Sequence, residues 1–205
     1  MGDMTTILFL VGSARPDSLN ARLSRVVESH LPEGVSATHF DIFSLPFYVQ
    51  GGPDEATPAP VEEFRTVLRE ADGVFITTPE YNYSLPGVVK NAIDWASRPM
   101  APRHAFVGKP MNAAVATISG TNGIRSLVDL KRLWAACGGA PVTTFDFVLQ
   151  QAPDQFVVDD EGRETLAEPA RATMHFAIAN LLRSIELDAG RTVAANWDAF
   201  IANLG

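Results

Sequence analysis

The chain reads Pro79-Glu80-Tyr81-Asn82-Tyr83-Ser84-Leu85-Pro86-Gly87 between a strand-like run and a helix-like run. Residues 73–78, which precede it, have the length and composition of a buried strand, and residues 88–96, which follow it, favour a helix. Residues 79–87 are therefore predicted to form the loop after a strand, and open α/β sheets bind ligands outside the carboxyl ends of their strands. The alternative is an ordinary turn with a tyrosine packed on it, and the rest of the sequence argues against it.

Strand-like and helix-like runs alternate along the whole chain. Strands are predicted at residues 6–11, 35–40, 73–78, 111–118 and 141–148. A first helix is predicted after residue 20, with its apolar positions between 23 and 31. Further helices are predicted at residues 61–71, 88–96, 127–136, 165–187 and 193–204, with an extended arm and turn at 155–162. This alternation is typical of a parallel sheet covered by helices on both faces. We predict an α/β, flavodoxin-like, doubly wound five-stranded parallel sheet of order 2-1-3-4-5, in a single domain spanning residues 1–205.

The composition argues against several kinds of partner and location. The net charge is −8 and the sequence pI is about 4.9, so we expect neither nucleic acid nor an anionic membrane surface as a partner. No run approaches the roughly 18 apolar residues that a membrane-spanning helix needs. The single cysteine, Cys137, cannot form an internal disulfide, which favours a reducing cytoplasm. Its apolar neighbours indicate a core residue rather than a nucleophile.

Three loops rich in Gly, Ser, Asn and Pro follow the first, third and fourth predicted strands, at residues 12–20, 79–87 and 119–123. In the order 2-1-3-4-5 the winding direction reverses between strands one and three, and this switch point is where such sheets bind FMN. The three loops would be neighbours at that edge of the sheet. Their convergence predicts a flavin-binding crevice there.

The first of these loops leads into a helix amino terminus, whose unpaired N–H groups and partial positive charge suit a phosphate. Ser13, Ser18 and Asn20 add neutral donors, and Arg15 adds a permanent cation. Neither G-x-G-x-x-G nor G-K-[ST] is present, so the loop is neither a dinucleotide fingerprint nor a Walker loop. From these residues alone, it is equally plausible that Ser18 only caps the helix and that Arg15 is a solvated surface charge.

Other kinds of site find little support in the sequence. The four histidines, His30, His39, His104 and His175, show no metal-ligand spacing with one another or with the cysteine, so no metal site is predicted. Residues 159–162 are acidic, but the stretch is too short for an EF-hand loop. No G-x-S-x-G hydrolase pattern occurs.

The loop at 79–87 and the helix after it resemble the signature of the NADPH-dependent FMN reductases, a family that includes bacterial quinone, chromate and azo-dye reductases. The matching residues are Pro79-Glu80-Tyr81-Asn82, Ser84, Pro86-Gly87 and Lys90-Asn91-Ala92-Ile93-Asp94-Trp95. The family's phosphate motif is similar to Gly12-Ser13, Arg15, Ser18 and Asn20 of this chain. This resemblance favours a phosphate site over a simple helix cap with a solvated arginine. The resemblance covers roughly residues 7–148.

The resemblance implies FMN contacts from all three loops. The implied residues are Ser13, Arg15, Ser18, Leu19, Asn20, Pro79, Glu80, Tyr81, Asn82, Tyr83, Ser84, Ser119 and Gly120. Backbone N–H groups of residues 79–84 would face the pyrimidine edge of the ring, where donors favour the negative charge of reduction. Glu80 is expected to act by position rather than as a general base, and no protein residue is predicted to be catalytic, because the flavin supplies the chemistry. Arg125 would either meet an NADPH phosphate or be solvated, and we favour the second.

The family further implies that NADPH or NADH is the co-substrate and that a small molecule such as a quinone is the electron acceptor, in ping-pong order. One rival function is a flavodoxin-type electron-transfer protein without its own pyridine-nucleotide site, which the acidic composition would match. Another is a flavin-free interaction module that keeps only the fold. The helix at 88–96 has a wide apolar surface, and with the resemblance this predicts a homodimer or homotetramer.

Overall fold

A parallel β-sheet organises the chain in the computed structural model, which describes residues 4–51, 56–99, 103–120, 123–144 and 146–203. Its strands are β1 (Thr5–Val11), β2 (Val35–His39), β3 (Gly73–Thr77), β4 (Pro110–Ala116), β5 (Ala140–Pro141) and β6 (Phe147–Leu149). The order is β2-β1-β3-β4-β5, and every pairing is parallel. The predicted order 2-1-3-4-5 is confirmed.

Helices cover both faces of this sheet, as predicted. They are α1 (Leu19–Ser29), α2 (Ala59–Glu70), α3 (Gly87–Ala96), α4 (Ile124–Ala136), α5 (Ala170–Glu186) and α6 (Arg191–Ala202). Leu8 and Leu10 of β1 pack with α2, α3 and α4 on one face, whereas Ile7 and Phe9 pack with α1 and α5 on the other. This alternation follows from the two-residue period of a strand, and it explains why the strands are apolar throughout. Cys137 is half-buried beside the first of these cores, in agreement with its predicted core role.

The fifth strand is not the continuous run 141–148 that the sequence predicts. Instead, β5 pairs with the beginning of β4 and β6 pairs with its end. Between the two segments, Asp146 leaves the ladder and forms an ion pair with Lys131 of α4 at 2.7 Å. Pro141 pairs with Met111 and Phe147 with Ala114, so this part of the chain advances six positions where β4 advances three and cannot form one continuous ladder. The strand order stays intact.

The predicted helix 165–187 begins later, at Ala170. Residues Glu164–Leu166 instead form β8, which pairs antiparallel with β7 (Phe156–Val158), so the extended arm predicted at 155–162 is confirmed. Pro169 stands at the start of α5, where a missing N–H is tolerated, and it would break a helix that began at residue 165. No helix among the described residues has the length and apolar character needed to cross a membrane. That residues 1–205 form one domain stays a prediction.

Helix α3 buries its apolar side within its own chain. Val89, Ile93 and Trp95 belong to the core on that face of the sheet, and the Tyr48 ring meets Trp95 edge-on at 5.0 Å. The outer side carries an ion pair between the Lys90 ammonium and Asp94 at 2.7 Å. The wide apolar surface that suggested a subunit contact is therefore largely covered already, and the oligomeric state stays a prediction.

Candidate functional site

A crevice of about 590 Å³ opens at the carboxyl edge of the sheet, between the loops that follow β1 and β3. It is lined by residues 12–16, Phe43, Tyr81 and residues 86–88. Its size lies within the range of about 300–1,000 Å³ that is usual for small-molecule sites. The predicted meeting of the loop at 12–20 with the loop at 79–87 is thus observed.

A somewhat larger cavity, about 650 Å³, lies beside residues 46–51 and 56–58, Trp95 and Arg98. None of the three loops at the carboxyl edge contributes to its lining. Because parallel sheets bind ligands at the carboxyl ends of their strands, we place the functional site in the smaller crevice.

Gly12 allows the first loop to approach β3 closely. Its N–H donates to the Thr77 carbonyl at 2.8 Å. A Cβ at this position would lie 2.5 Å from Oγ1 of Thr78 and 2.8 Å from Val89, so no larger residue fits without movement. The absence of a side chain brings the backbone of the loop to the floor of the crevice.

Ser18 and Asn20 fix the start of α1. The Ser18 hydroxyl accepts a hydrogen bond from the Ala21 N–H at 3.2 Å and so caps the helix. The buried Asn20 amide accepts from the Ala116 N–H at 2.8 Å and donates to the Ala116 carbonyl at 3.0 Å. Leu19, the first residue of α1, packs against the core beneath that helix. The two polar side chains thus have partners within the chain, and contact of these three residues with a phosphate stays a prediction.

Ser13 and Arg15 both line the crevice. The Arg15 guanidinium forms two hydrogen bonds to the Asp17 carboxylate, at 3.1 and 2.8 Å, and both side chains are largely exposed. Hydrogen bonding to Arg15 lowers the pKa of the Asp17 carboxyl, and the same bond raises the pKa of Arg15. The cation expected from the sequence is therefore at the site, but a phosphate must compete with Asp17 for it.

The third-strand loop contains a tight turn that the sequence does not indicate. Tyr81 and Ser84 exchange backbone hydrogen bonds of 2.9 and 3.0 Å, while Asn82 and Tyr83 between them have φ of 48° and 67°. Two successive residues with positive φ are typical of a type I′ turn, which prefers Asn-Gly at these positions. Tyrosine is strained there, and such strain is common at binding sites. Of the side chains in this turn, Tyr81 lines the crevice.

Side chains of the same loop attach it to α4. Glu80 accepts hydrogen bonds from the backbone N–H groups of Gly123 and Arg125 and from the Arg125 guanidinium. Ser84 donates to the Asp129 carboxylate at 2.5 Å, and the Tyr83 ring lies 4.8 Å from the guanidinium carbon of Arg125. The expectation that Arg125 is simply solvated is therefore wrong: it is partly exposed, but it is paired with Glu80 and stacked on Tyr83.

The protonation state of Glu80 agrees with a positional role. Burial alone would raise the pKa of its carboxyl, but the N–H groups of Gly123 and Arg125 and the Arg125 guanidinium hold the pKa below its ordinary value. The group is ionised at neutral pH and cannot supply a proton. Pro79, the residue before it, accepts a hydrogen bond from the Thr78 hydroxyl through its carbonyl.

The loop after β4 contributes less to the crevice than the sequence suggests. Ser119 and Gly120 do not line the crevice. A Cβ added to Gly120 would meet nothing within 4 Å, so the protein itself does not require a small residue there. Thr121 and Asn122 lie outside the described residues.

Pro86 and Gly87, from the predicted loop at 79–87, line the crevice, and so do Phe43 and Val88, which sequence reasoning did not assign to it. A signal for Phe43 was present, because it lies just after β2 and the carboxyl ends of parallel strands share one edge. Asn91 and Trp95 belong to the quoted signature, but their hydrogen bonds to Pro46 and Tyr48 are not evident from the sequence spacing.

The crevice suits a planar ligand that carries a phosphate. The first turn of α3, the Arg15 cation and the closely packed backbone at Gly12 line a space of suitable volume. Ser18, Leu19 and Asn20 at the start of α1 are not among the lining residues. Among the described residues, no group of three or more His, Cys, Asp or Glu side chains is placed to hold a metal ion. The residues present therefore fit FMN.

Comparison with known proteins points to the same ligand. A family model described as NADPH-dependent FMN reductase matches residues 5–154. A 2-hydroxy-1,4-benzoquinone reductase from a Burkholderia species is 38% identical over 157 residues, which cover 77% of this chain and 80% of that protein. An NAD(P)H-dependent FMN reductase from Pseudomonas aeruginosa is 33% identical over 177 residues, covering 84% of this chain and 95% of that protein.

A solved structure agrees in fold. The flavoenzyme NAD(P)H:(acceptor) oxidoreductase from Paracoccus denitrificans superposes with a TM-score of 0.78 at 26% identity, covering 90% of this chain and 98% of that one. The family match begins at β1 and includes all three loops at the carboxyl edge. The chain therefore belongs to the NADPH-dependent FMN reductases, a family of flavin-dependent oxidoreductases.

Proposed function

We propose that this protein is an FMN-dependent NAD(P)H oxidoreductase that reduces quinone-like or other small acceptors by a ping-pong mechanism. The carrying observation is the crevice between the loops after β1 and β3, which lies inside the region matched by the family. The relative from Burkholderia is named for reduction of a benzoquinone, which supports an acceptor of that class.

Each part of the crevice has a task in this proposal. The loop at 12–20 and the start of α1 bind the phosphate, with Arg15 leaving Asp17 to join it. In the turn at Tyr81–Ser84, the N–H groups of Tyr81 and Ser84 donate to each other's carbonyls. The N–H groups of Asn82 and Tyr83 are therefore the donors that this turn offers to the edge of the ring. FMN, when bound, supplies the chemistry by accepting a hydride from a nicotinamide and passing electrons to an acceptor.

Shared use of one opening supports the ping-pong order. Phe43 and Tyr81 line the crevice and are 43% and 47% exposed, so they offer flat apolar surface to any planar molecule that enters. A nicotinamide and a quinone would need the same space. The first product must therefore leave before the acceptor binds.

We also propose that the protein works as a homodimer or homotetramer in the cytoplasm. Phe47 is 90% exposed and Val49 is 67% exposed, on the segment that follows Phe43. Neighbouring apolar side chains that are this strongly exposed indicate a contact with another protein. Light scattering after gel filtration gives the mass, and a monomer at micromolar concentration would contradict the oligomer.

The function is tested by the colour and reactivity of the purified protein. We expect a yellow protein that releases FMN on acid treatment, loses its colour with anaerobic NADPH or NADH, and regains it on addition of a quinone. Parallel double-reciprocal plots would support the ping-pong order. Release of FAD would contradict the cofactor, and a flavin that neither nucleotide reduces would favour the flavodoxin-type rival.

A further inference from the structure

Glu80 connects two of the loops at the carboxyl edge. Its Oε2 accepts from the N–H groups of Gly123 at 2.9 Å and Arg125 at 3.0 Å, and its Oε1 accepts from the Arg125 guanidinium at 3.0 Å. Only 5% of its side chain is exposed, and it is not among the residues that line the crevice. Since all three donors belong to the start of α4, this side chain joins the loop after β3 to the loop after β4.

Helix α4 needs this external partner because it cannot cap itself. Its N-cap residue is Gly123, with φ of 117°, a conformation that disfavours any side chain. A Cβ there would also lie 2.8 Å from Val115 and 3.0 Å from Val148. The usual Ser, Thr, Asp or Asn cap is therefore excluded, and the carboxylate of Glu80 takes its place from another loop.

Charge is balanced within the same contact. The Glu80 carboxylate faces both the positive end of the α4 dipole and the Arg125 guanidinium. The Tyr83 ring covers that guanidinium from the same loop, at 4.8 Å. Removing either charged partner would leave the other buried or half-buried without compensation.

We propose that Glu80 is a positioning residue for the flavin, which together with Arg125 holds the loops after β3 and β4 together without placing a net charge beside the ring. This role rests on the proposed function, because it takes FMN as the ligand. Glu80 itself neither gives nor takes a proton in the reaction. Its carboxylate acts through the backbone of the two loops and through the balance of charge at their junction.

Four variants test this role: Glu80→Gln, Arg125→Gln, the double variant, and Asp146→Asn as a control. The control removes another carboxylate paired with α4, through Lys131, away from the start of that helix. We expect Glu80→Gln to weaken FMN binding about tenfold or more, the effect of losing charge-assisted hydrogen bonds. With FMN saturating, its rate of reduction should stay within about tenfold, below the usual general-base contribution of about 10²–10⁴.

The midpoint potential of bound FMN separates a charge balance from simple structural support. Glu80→Gln leaves Arg125 uncompensated and should raise the potential, whereas Arg125→Gln leaves the carboxylate uncompensated and should lower it. The double variant should return towards the wild-type value, and Asp146→Asn should not change it. Shifts of the same sign in both single variants, or no shift, would overturn the proposal. So would a loss of more than about a thousandfold in reduction rate with FMN bound, an effect of general-base size.

Amide hydrogen exchange in the FMN-free protein tests the junction independently of the flavin. The N–H groups of Gly123 and Arg125 should exchange faster in Glu80→Gln than in the wild type and in Asp146→Asn. Unchanged exchange would overturn the role of Glu80 even if FMN binding stands. A wild-type protein that binds no FMN would instead overturn the proposed function and, with it, the role of Glu80 towards the flavin. Faster exchange in Glu80→Gln would then still show that Glu80 joins the two loops, so the two failures can be told apart.

Discussion

The side chains of Asn91 and Trp95 share one acceptor, the carbonyl of Pro46, at 2.9 and 2.7 Å. Asn91 also accepts a hydrogen bond from the Tyr48 N–H at 2.7 Å. One turn of α3 therefore holds the segment that connects β2 to α2. Phe43, which lines the crevice, lies just before the bonded residues, so α3 positions one wall of the site from behind.

Replacing Asn91 with alanine should lower the free energy of unfolding by about 1–3 kcal/mol, because a partly buried N–H at Tyr48 loses its acceptor. Urea denaturation measures the change. Asn180→Ala is the matched control, since that amide donates to the Phe176 carbonyl of its own helix at 2.7 Å in an exposed hydrogen bond. Equal losses in the two variants would contradict the special role of Asn91.

Arg15→Ala should weaken FMN binding about 10- to 150-fold, the range for a charge-assisted hydrogen bond to a phosphate. Asp17→Asn should have the opposite effect, because it removes the carboxylate that holds Arg15 in the free protein. Titration of the flavin-free protein with FMN at moderate, fixed salt gives both dissociation constants. If the constant for Arg15→Ala is unchanged, Arg15 is a solvated surface charge after all.

Gly12→Ala should lower both the free energy of unfolding, by about 1–3 kcal/mol for overpacking, and the affinity for FMN. The added methyl group meets Thr78 and Val89 and pushes the loop away from β3. Gly120→Ala is the control, since its methyl group enters open space, and its stability should stay within about 0.5 kcal/mol of the wild type. Similar stability of the two variants would show that the loop absorbs the extra methyl group without cost.

The stability of the protein should fall in mild acid because of His104. This side chain is buried between Phe106 and Trp197, with ring centroids at 5.0 and 4.8 Å, and within the described part of the chain its Nδ1 has no hydrogen-bond partner. Burial, with a smaller effect of the Arg98 charge, lowers its pKa from 6.5 to about 4. The folded protein thus binds this proton at a lower pH than the unfolded chain does.

The sign of the pH effect follows from that order. The contribution of His104 is complete above pH 6.5 and is lost as the pH falls towards 4, by up to about 3 kcal/mol. Unfolding free energies between pH 7.5 and 4.5 should therefore decline more steeply in the wild type than in His104→Leu. His39→Gln, which changes an exposed histidine, should retain the wild-type slope. A wild-type slope in His104→Leu would contradict this assignment.

The sequence predicts the order of the sheet because each buried strand is a separate apolar run, such as residues 73–78, followed by clear turn residues. It does not predict the break in the fifth strand, because residues 142–146 contain no Gly or Pro that would mark one. Nor does it predict the partner of the Glu80 side chain, which caps a helix that begins 43 residues further along the chain. Local patterns report burial and turns, whereas these contacts depend on which elements the fold brings together.

The amide of Asn20 has a consequence for how the sheet and the loop after β1 depend on each other. On the side of β4 where β3 has already ended, the Asn20 side chain bonds to both the N–H and the carbonyl of Ala116, much as a neighbouring strand would. A buried backbone N–H or carbonyl left without a partner would cost about 1–3 kcal/mol. The same residue that fixes the start of α1 therefore also completes the hydrogen bonding of a central strand, so the two cannot move independently.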